Sequence, residues 1–185
     1  MPKAIVTPAT TDDAAALAAM HNAIAADKTR EYGEGPWSGK VTERGMLYAM
    51  RISRVFVLRE ASEVVATFRL QTKKPWAIDT SYFTAVRRPL YLLGMAVSPD
   101  RQRRGLGRQC LDEAERIARE WPADAIRLDA YDADAGAGGF YAQCGYAEVG
   151  RRTYRNSPLI YFESLLPSGT APESRSQGAR RPSRS

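Results

Sequence analysis

The chain has 185 residues and 44% hydrophobic content, enough for one domain with a real core. No apolar run approaches the ~20 residues that a membrane span needs, and the polar Thr and Asp residues that follow Met1-Pro2-Lys3-Ala4 do not read as a secretory signal. The net charge of +6 is uneven: Ser168–Ser185 carries Arg175, Arg180, Arg181 and Arg184 against Glu173 alone, which leaves about +3 for the rest. That tail is rich in Ser, Pro and Gly and lacks aromatics, so it offers little for stacking on nucleic-acid bases. It cannot bury enough apolar surface to offset its ordering entropy. Residues 1–166 are therefore expected to form one domain and residues 167–185 a disordered basic tail. Cys110 and Cys144 read as free thiols in a reducing, cytoplasmic setting.

Lys3–Thr7 reads as a first strand. Thr10 or Thr11 caps a helix over Asp12–Ala26, with Asp12 and Asp13 in the first turn and Ala16, Leu17, Met20 and Ile24 at helical spacing. Gly33, Gly35, Pro36 and Gly39 make Tyr32–Gly39 a loop. Thr42–Ser53 reads as a second helix, and Val55–Arg59 and Glu63–Gln71 as strands joined at Ala61-Ser62. Lys73–Pro89 is irregular, and Pro89–Val97 is an apolar strand. Gly107–Trp121 is an amphipathic helix stopped by Pro122, with Cys110, Leu111, Ala114, Ile117 and Ala118 on one face. Ala125–Ala130 is a strand, and Ala137–Cys144 is a short helix closed by Gly145. Glu148–Tyr154 and Leu159–Leu166 form a hairpin through Arg155-Asn156-Ser157-Pro158. The order β-α-α-β-β-β-α-β-α-β-β defines a mixed α/β domain.

The chemically informative stretch is Val97–Arg108. A strand ends at Val97, a basic glycine turn follows, and a helix starts at once. Gly105 and Gly107 let the backbone turn sharply and approach a ligand closely. The first amides of the helix lack intrahelical acceptors and carry the positive end of its dipole. Arg103, Arg104 and Arg108 add full charges, and a diphosphate is the natural occupant. The spacing is neither a Walker A loop nor a dinucleotide fingerprint: no Lys-Ser/Thr follows the glycines, and Cys110 stands where the latter needs a third glycine.

Gln102-x-x-Gly105-x-Gly107 resembles instead the Q/R-x-x-G-x-G/A signature of the GNAT (GCN5-related) N-acetyltransferases. Phe140-Tyr141-x-x-x-Gly145-Tyr146, one helix and one strand downstream, is similar to that family's late helix–turn. Met95-Ala96-Val97 matches the end of the strand before its phosphate loop. The resemblance runs from about Leu90 to Phe162 and implies the GNAT fold: a mostly antiparallel sheet of six to seven strands, splayed between strands 4 and 5 and flanked by about four helices. It implies transfer of an acetyl group from acetyl-CoA to a primary amine, by direct attack in a ternary complex.

The resemblance further implies that Met95, Ala96 and Val97 hold the pantetheine arm by backbone groups. Amides from Arg103 through Gly105, Leu106 and Gly107 to Arg108 would hold the pyrophosphate, helped by the arginine side chains or not. Asp134 stands where the family often has an Asn that bonds the cofactor arm. Tyr141 is implied as general acid for the leaving thiolate. Asp129 matches the place of a basic glutamate in ribosomal-protein acetyltransferases. The alternative is that it pairs with Arg127 or a surface cation, and Asp132, His21 and Asp79 are further options. No metal is expected, since the single histidine and two cysteines lack zinc-ligand spacing.

Trp37, Trp76, Tyr82, Phe83 and Tyr154 are candidates for the acceptor wall, with ordinary core as the alternative for half of them. The expected partners are acetyl-CoA and an amine acceptor, with no nucleic acid and no membrane. A homodimer is left open. The amine is expected on a small molecule; a protein or peptide amine, or acyl-CoA binding without turnover, are the alternatives. Deletion of Ser168–Ser185 should leave both turnover and melting temperature unchanged. A large loss of either would mean that the tail folds onto the domain.

Overall fold

A computed structural model of the chain describes residues 5–167. Lys3 and Ala4 of the expected first strand, and the tail from Ser168 on, lie outside the described residues. The elements follow the expected order: β1 (Ile5–Pro8), α1 (Ala14–Tyr32), α2 (Glu43–Ile52), β2 (Arg54–Glu60), β3 (Glu63–Gln71), β4 (Pro89–Val97), α3 (Leu106–Glu120), β5 (Ala125–Tyr131), α4 (Gly138–Gln143), β6 (Ala147–Tyr154) and β7 (Ser157–Leu165). The strands make one seven-stranded sheet in the order β1-β2-β3-β4-β5-β7-β6. Every neighbouring pair is antiparallel except β4 and β5.

That parallel pair carries the architecture. β4 and β5 register only at Pro89 with Ala125, Leu90 with Ile126 and Tyr91 with Arg127. Beyond those residues the strands part. The rest of β4 bonds only to β3, and the rest of β5 only to β7. Gly94, with φ +56°, sits in a break of the β3–β4 register and bends β4 away.

Each face of the sheet buries its own core. α3 and α4 cover one face over Phe56, Phe68, Leu70, Leu92, Ile126, Leu128 and Phe162. α1 and α2 cover the other through Leu17, Met20, Met46, Val55 and Val57. A third cluster, Ile78, Phe83, Tyr91, Leu159 and Tyr161, lies under the long segment between β3 and β4.

Most boundaries shift by a residue or two, and two of the differences from the sequence expectation are informative. α1 continues beyond Ala26 to Tyr32 and stops at Gly33, whose φ is +79°. The apolar spacing ends at Ile24 because the last two turns leave the core and line a polar cleft. The final hairpin turns on Arg155-Asn156 alone, both at positive φ as a tight two-residue turn requires, so Ser157 and Pro158 belong to β7.

The long segment is tied down by a buried ion pair between cross-strand partners. Arg127 Nε lies 3.0 Å from Glu163 Oε1. Arg127 also donates to the Thr84 carbonyl, and Thr84 N–H donates to Glu163 Oε2 at 3.2 Å. The Arg127 guanidinium stacks 4.9 Å from the Phe83 ring centre. Removing one partner strands the other charge in the core, which costs about 3–5 kcal/mol. Glu163→Ala should therefore lower the midpoint of urea unfolding strongly, and the further change Arg127→Met should recover part of the loss. Equal midpoints for Glu163→Ala and wild type would show that the pair does not hold the segment.

Candidate active site

The basic glycine turn is built as the sequence requires. After β4, a short turn over Pro99–Arg101 is closed by Arg101 N–H to the Ser98 carbonyl at 2.9 Å. Arg103 and Gly105 then take positive φ, +61° and +82°, and Gly105 opens α3. A Cβ on Gly105 would meet nothing within 4 Å, so the left-handed backbone, not crowding by protein, demands glycine. The first bond onto α3 is Gln109 N–H to Gly105 O at 3.0 Å. Among the described residues, the amides from Arg103 to Arg108 have no backbone partner outside the helix, and Arg103 and Arg104 make no ion pair. Arg101, by contrast, is engaged by Glu60, Glu63 and Asp100. Arg108 donates to the Gln143 carbonyl at 2.9 Å, so at least one of its donors closes the end of α4.

Gly107 has a second role that spacing alone does not reveal. Its Cβ position lies 3.0 Å from Phe140 Cζ, so α3 and α4 touch backbone to ring. Phe140 in turn packs edge-on against Tyr141, with ring centres 5.4 Å apart.

A polar cleft runs from this turn toward α4. It is lined by the last two turns of α1 and by Gln102, Arg103, Asp134 and Ala135. Lys28 reaches across it to the Ala135 carbonyl at 2.5 Å, and burial lowers its pKa. After Tyr91, β4 has no partner on its β5 side, so Met95, Ala96 and Val97 carry strand backbone that is unpaired along that edge. An extended ligand arm can pair there as an added strand.

Tyr141 and Asp129 lie on opposite faces of the sheet. Tyr141 packs in the α3–α4 core and is 7% exposed. Its hydroxyl has no hydrogen-bond partner among the described residues. Burial, and then the charge of Asp129, push its pKa up, so the phenol keeps its proton at neutral pH. Asp129 stands on β5 opposite Tyr161 and shares the α1–α2 face with Arg127, two residues before it. Burial pushes its carboxyl pKa up as well, and it has no ion pair among the described residues. The alternative pairing with Arg127 does not form, because Arg127 is taken by Glu163.

The other titratable candidates are arranged differently. Asp132 is held by Arg151 at 2.8 Å and Asp79 by Arg152. His21 lies on α1, where burial and then the nearby charge of Arg69 lower its pKa.

The five aromatic candidates divide. Trp37 packs edge-on against Tyr131, 6.1 Å between ring centres, and Tyr131 donates to the Pro36 carbonyl at 3.2 Å. That contact brings the loop after α1 over the Asp129 side of β5, through Tyr131, which the sequence did not single out. Tyr82 and Phe83 both pack on Tyr161, with ring centres 5.4 Å away. Phe83 is buried in that cluster, while Tyr82 covers Gly150. Tyr154 flanks the same cluster and is overlain by Arg155. Trp76 is 84% exposed and packs in none of the core clusters. No helix among the described residues is long and apolar enough to cross a membrane. Nor do any three His, Cys, Asp or Glu among them group as a metal site.

The chain belongs to the acetyltransferase (GNAT) family, whose model matches residues 18–146. No curated protein matches the sequence. Among solved structures the chain is similar to yncA from Salmonella typhimurium, solved with its cofactor acetyl-CoA, with a TM-score of 0.64, 17% identity, and coverage of 92% of this chain and 98% of that one. It is also similar to the ribosomal-protein-alanine N-acetyltransferase from Brucella melitensis, with a TM-score of 0.66, 20% identity, and coverage of 88% and 99%. A GCN5-related N-acetyltransferase from Rhodopseudomonas palustris gives a TM-score of 0.68 at 19% identity, with coverage of 90% and 98%. At these identities the likeness establishes the shared fold. Family membership makes the protein an acyltransferase.

The turn's geometry gives a direct test of its role. Acetyl-CoA at a hundredfold excess over its dissociation constant should raise the melting temperature by about 5–10 °C. Gly105→Val should fold yet lose that shift, because a β-branched residue resists φ +82° and its side chain would enter the open space beside the free amides. An undiminished shift in the folded variant would place the pyrophosphate elsewhere.

Proposed function

We propose that the protein is an acetyl-CoA-dependent N-acetyltransferase acting on a primary amine, most suitably that of a small molecule, in a cytoplasmic setting. The observation that carries the reading is the closeness of Asp129 and Tyr141, near enough for the carboxylate charge to act on the phenol. Tyr141 is buried and Asp129 half-buried, both are shifted toward their protonated forms, and neither is engaged by another side chain. The unpaired state of Cys110 and Cys144 suits a reducing compartment.

The amides of Arg103 to Arg108 would hold the pyrophosphate, with Arg103 and Arg104 as free cations beside it. The open edge at Met95, Ala96 and Val97 would hold the arm, and Asp134 lines the same cleft as Arg103. Bound there, acetyl-CoA supplies the acetyl group as a thioester, whose C–S bond breaks as the C–N bond to the amine forms. Asp129, on the α1–α2 face, takes the proton that the acceptor ammonium must lose. Its raised pKa makes it a stronger base than an ordinary carboxylate. Tyr141, on the opposite face, gives its hydroxyl proton to the departing sulfur. Trp37 and Tyr131 close the acceptor side beside Asp129. The segment between β3 and β4, tied down over Tyr161, narrows the entrance, which favours a small amine over a flat protein surface.

Tyr141→Phe keeps the ring and removes only the hydroxyl. It should bind acetyl-CoA normally and lose about tenfold to a hundredfold in kcat and kcat/KM alike. The wild-type rate should fall as pH drops through the raised pKa of Asp129, because the base works only when ionised. That limb should lie above the ordinary carboxylate range. The measurement is thiol release with a panel of amines and peptides between pH 5 and 10. An unchanged kcat in Tyr141→Phe, with only a lower melting temperature, would reduce Tyr141 to a packing residue.

A further inference from the structure

A second cavity, of about 550 Å³, opens between α1, α2 and the β3–β4 side of the gap. Its charged lining residues are Arg69, Lys40 and the nearby His21, and its lining includes no acidic residue. Arg69 is half-buried, and burial lowers its pKa. Among the described residues, nothing accepts a hydrogen bond from its guanidinium and no carboxylate pairs with it. Its nitrogens are reached by solvent, so the guanidinium keeps its donors open to an anion. Elsewhere in the molecule the chain does satisfy such a group, since Arg127 is fully engaged by Glu163 and Thr84. Its neighbour in the cavity also conforms to the vacancy: His21 is held toward its neutral form and competes little for an anion.

The position of Arg69 gives this vacancy a use. Arg69 registers with Leu93, and its side chain runs over Gly94, with Nε 3.4 Å from where a Cβ would stand. Gly94 immediately precedes the Met95–Val97 edge. The sheet register also places Arg69 and Asp129 on one face. Gln71 lies opposite Tyr91 and Tyr91 opposite Arg127, so the three share a face; Arg69 and Asp129 each stand two residues further along their strands. The guanidinium and the base candidate thus lie on the same face of the sheet. The remaining wall is apolar, with Val41, Met46 and Val55 inside and the exposed rings and methyls of Tyr48 and Ile52 at the rim. Asn22 clamps Val41 at both its backbone groups, 2.8 and 2.9 Å, and fixes that wall.

We propose that Arg69 is the anchor for a carboxylate on the acceptor, and that the acceptor class is a small amine bearing that carboxylate and an apolar body, such as an apolar amino acid. The proposal rests on the acetyltransferase reading for its chemistry, but not for its binding. A planar guanidinium meets a carboxylate through two parallel hydrogen bonds, which a neutral amide cannot match.

The test uses apolar L-α-amino acids and their carboxamides as acceptors, and their N-acetyl derivatives as binding probes in the presence of CoA. Wild type should prefer each amino acid over its carboxamide. Arg69→Gln should raise KM for the amino acid on the order of tenfold to a hundredfold, with little change in kcat, and leave the carboxamide and the acetyl-CoA thermal shift unaffected. Arg69→Lys should restore part of the affinity. If no amine is turned over but the N-acetyl amino acids bind wild type and not Arg69→Gln, the anchor stands and the activity reading falls. Turnover of carboxamides and amino acids alike, with equal effects of Arg69→Gln on both, would overturn the anchor and leave the activity intact. Absence of both turnover and carboxylate binding would overturn the proposal.

Discussion

The structure depends on a shortage of hydrogen bonds. β4 and β5 run parallel, register at three positions and then separate, so two strand edges that a continuous sheet would join are left facing a gap. A parallel pair can part in this way because each strand is held from its other side. β4 is bonded along β3, and β5 along β7, over most of their length. Gly94 bends β4 within the stretch that has no partner on its β5 side. The basic glycine turn follows the end of β4. Tyr141 comes from one face, and Asp129 and Arg69 come from the other.

The two faces divide the labour electrostatically. On the α3–α4 side the turn presents backbone amides and the exposed Arg103 and Arg104. On the α1–α2 side Arg127 and Glu163 are buried, and Asp129 and Arg69 half-buried. There Arg127 and Glu163 neutralise each other to hold the segment before β4. Asp129 and Arg69 have no such partner, although the same chain pairs Asp132, Asp79 and Asp124 with arginines nearer the surface. An unpaired buried charge detracts from stability, and its place beside the gap is where a ligand can offset that cost.

Much of this was legible in the sequence. The order of all eleven main elements follows from apolar spacing and punctuation, because each of these helices and strands buries one face. Pro89–Val97 is bounded by a proline and by the polar turn, and its limits are those observed. The glycine turn was legible because a positive φ at a helix start favours glycine, as at Gly105. The last turns of α1 were not, since periodicity reports burial in a core and these turns line a cleft instead. The pairing of Arg127 with Glu163 was hidden as well. A charged residue inside a strand looks the same whether it pairs across the sheet or along its own strand, and only the register between β5 and β7 decides. Arg69 carried no sequence signal: its meaning lies in the absence of a neighbour.

The contact between Gly107 and Phe140 has a consequence for how this protein can diverge. The helix that starts at the glycine turn and the helix that carries Tyr141 meet through one ring, and a methyl group at residue 107 would press on it. Phe140 lies edge-on to Tyr141, so a larger side chain at residue 107 bears on Tyr141 through that ring. A change made at the turn is thereby felt beside Tyr141 with α4 itself unaltered in sequence.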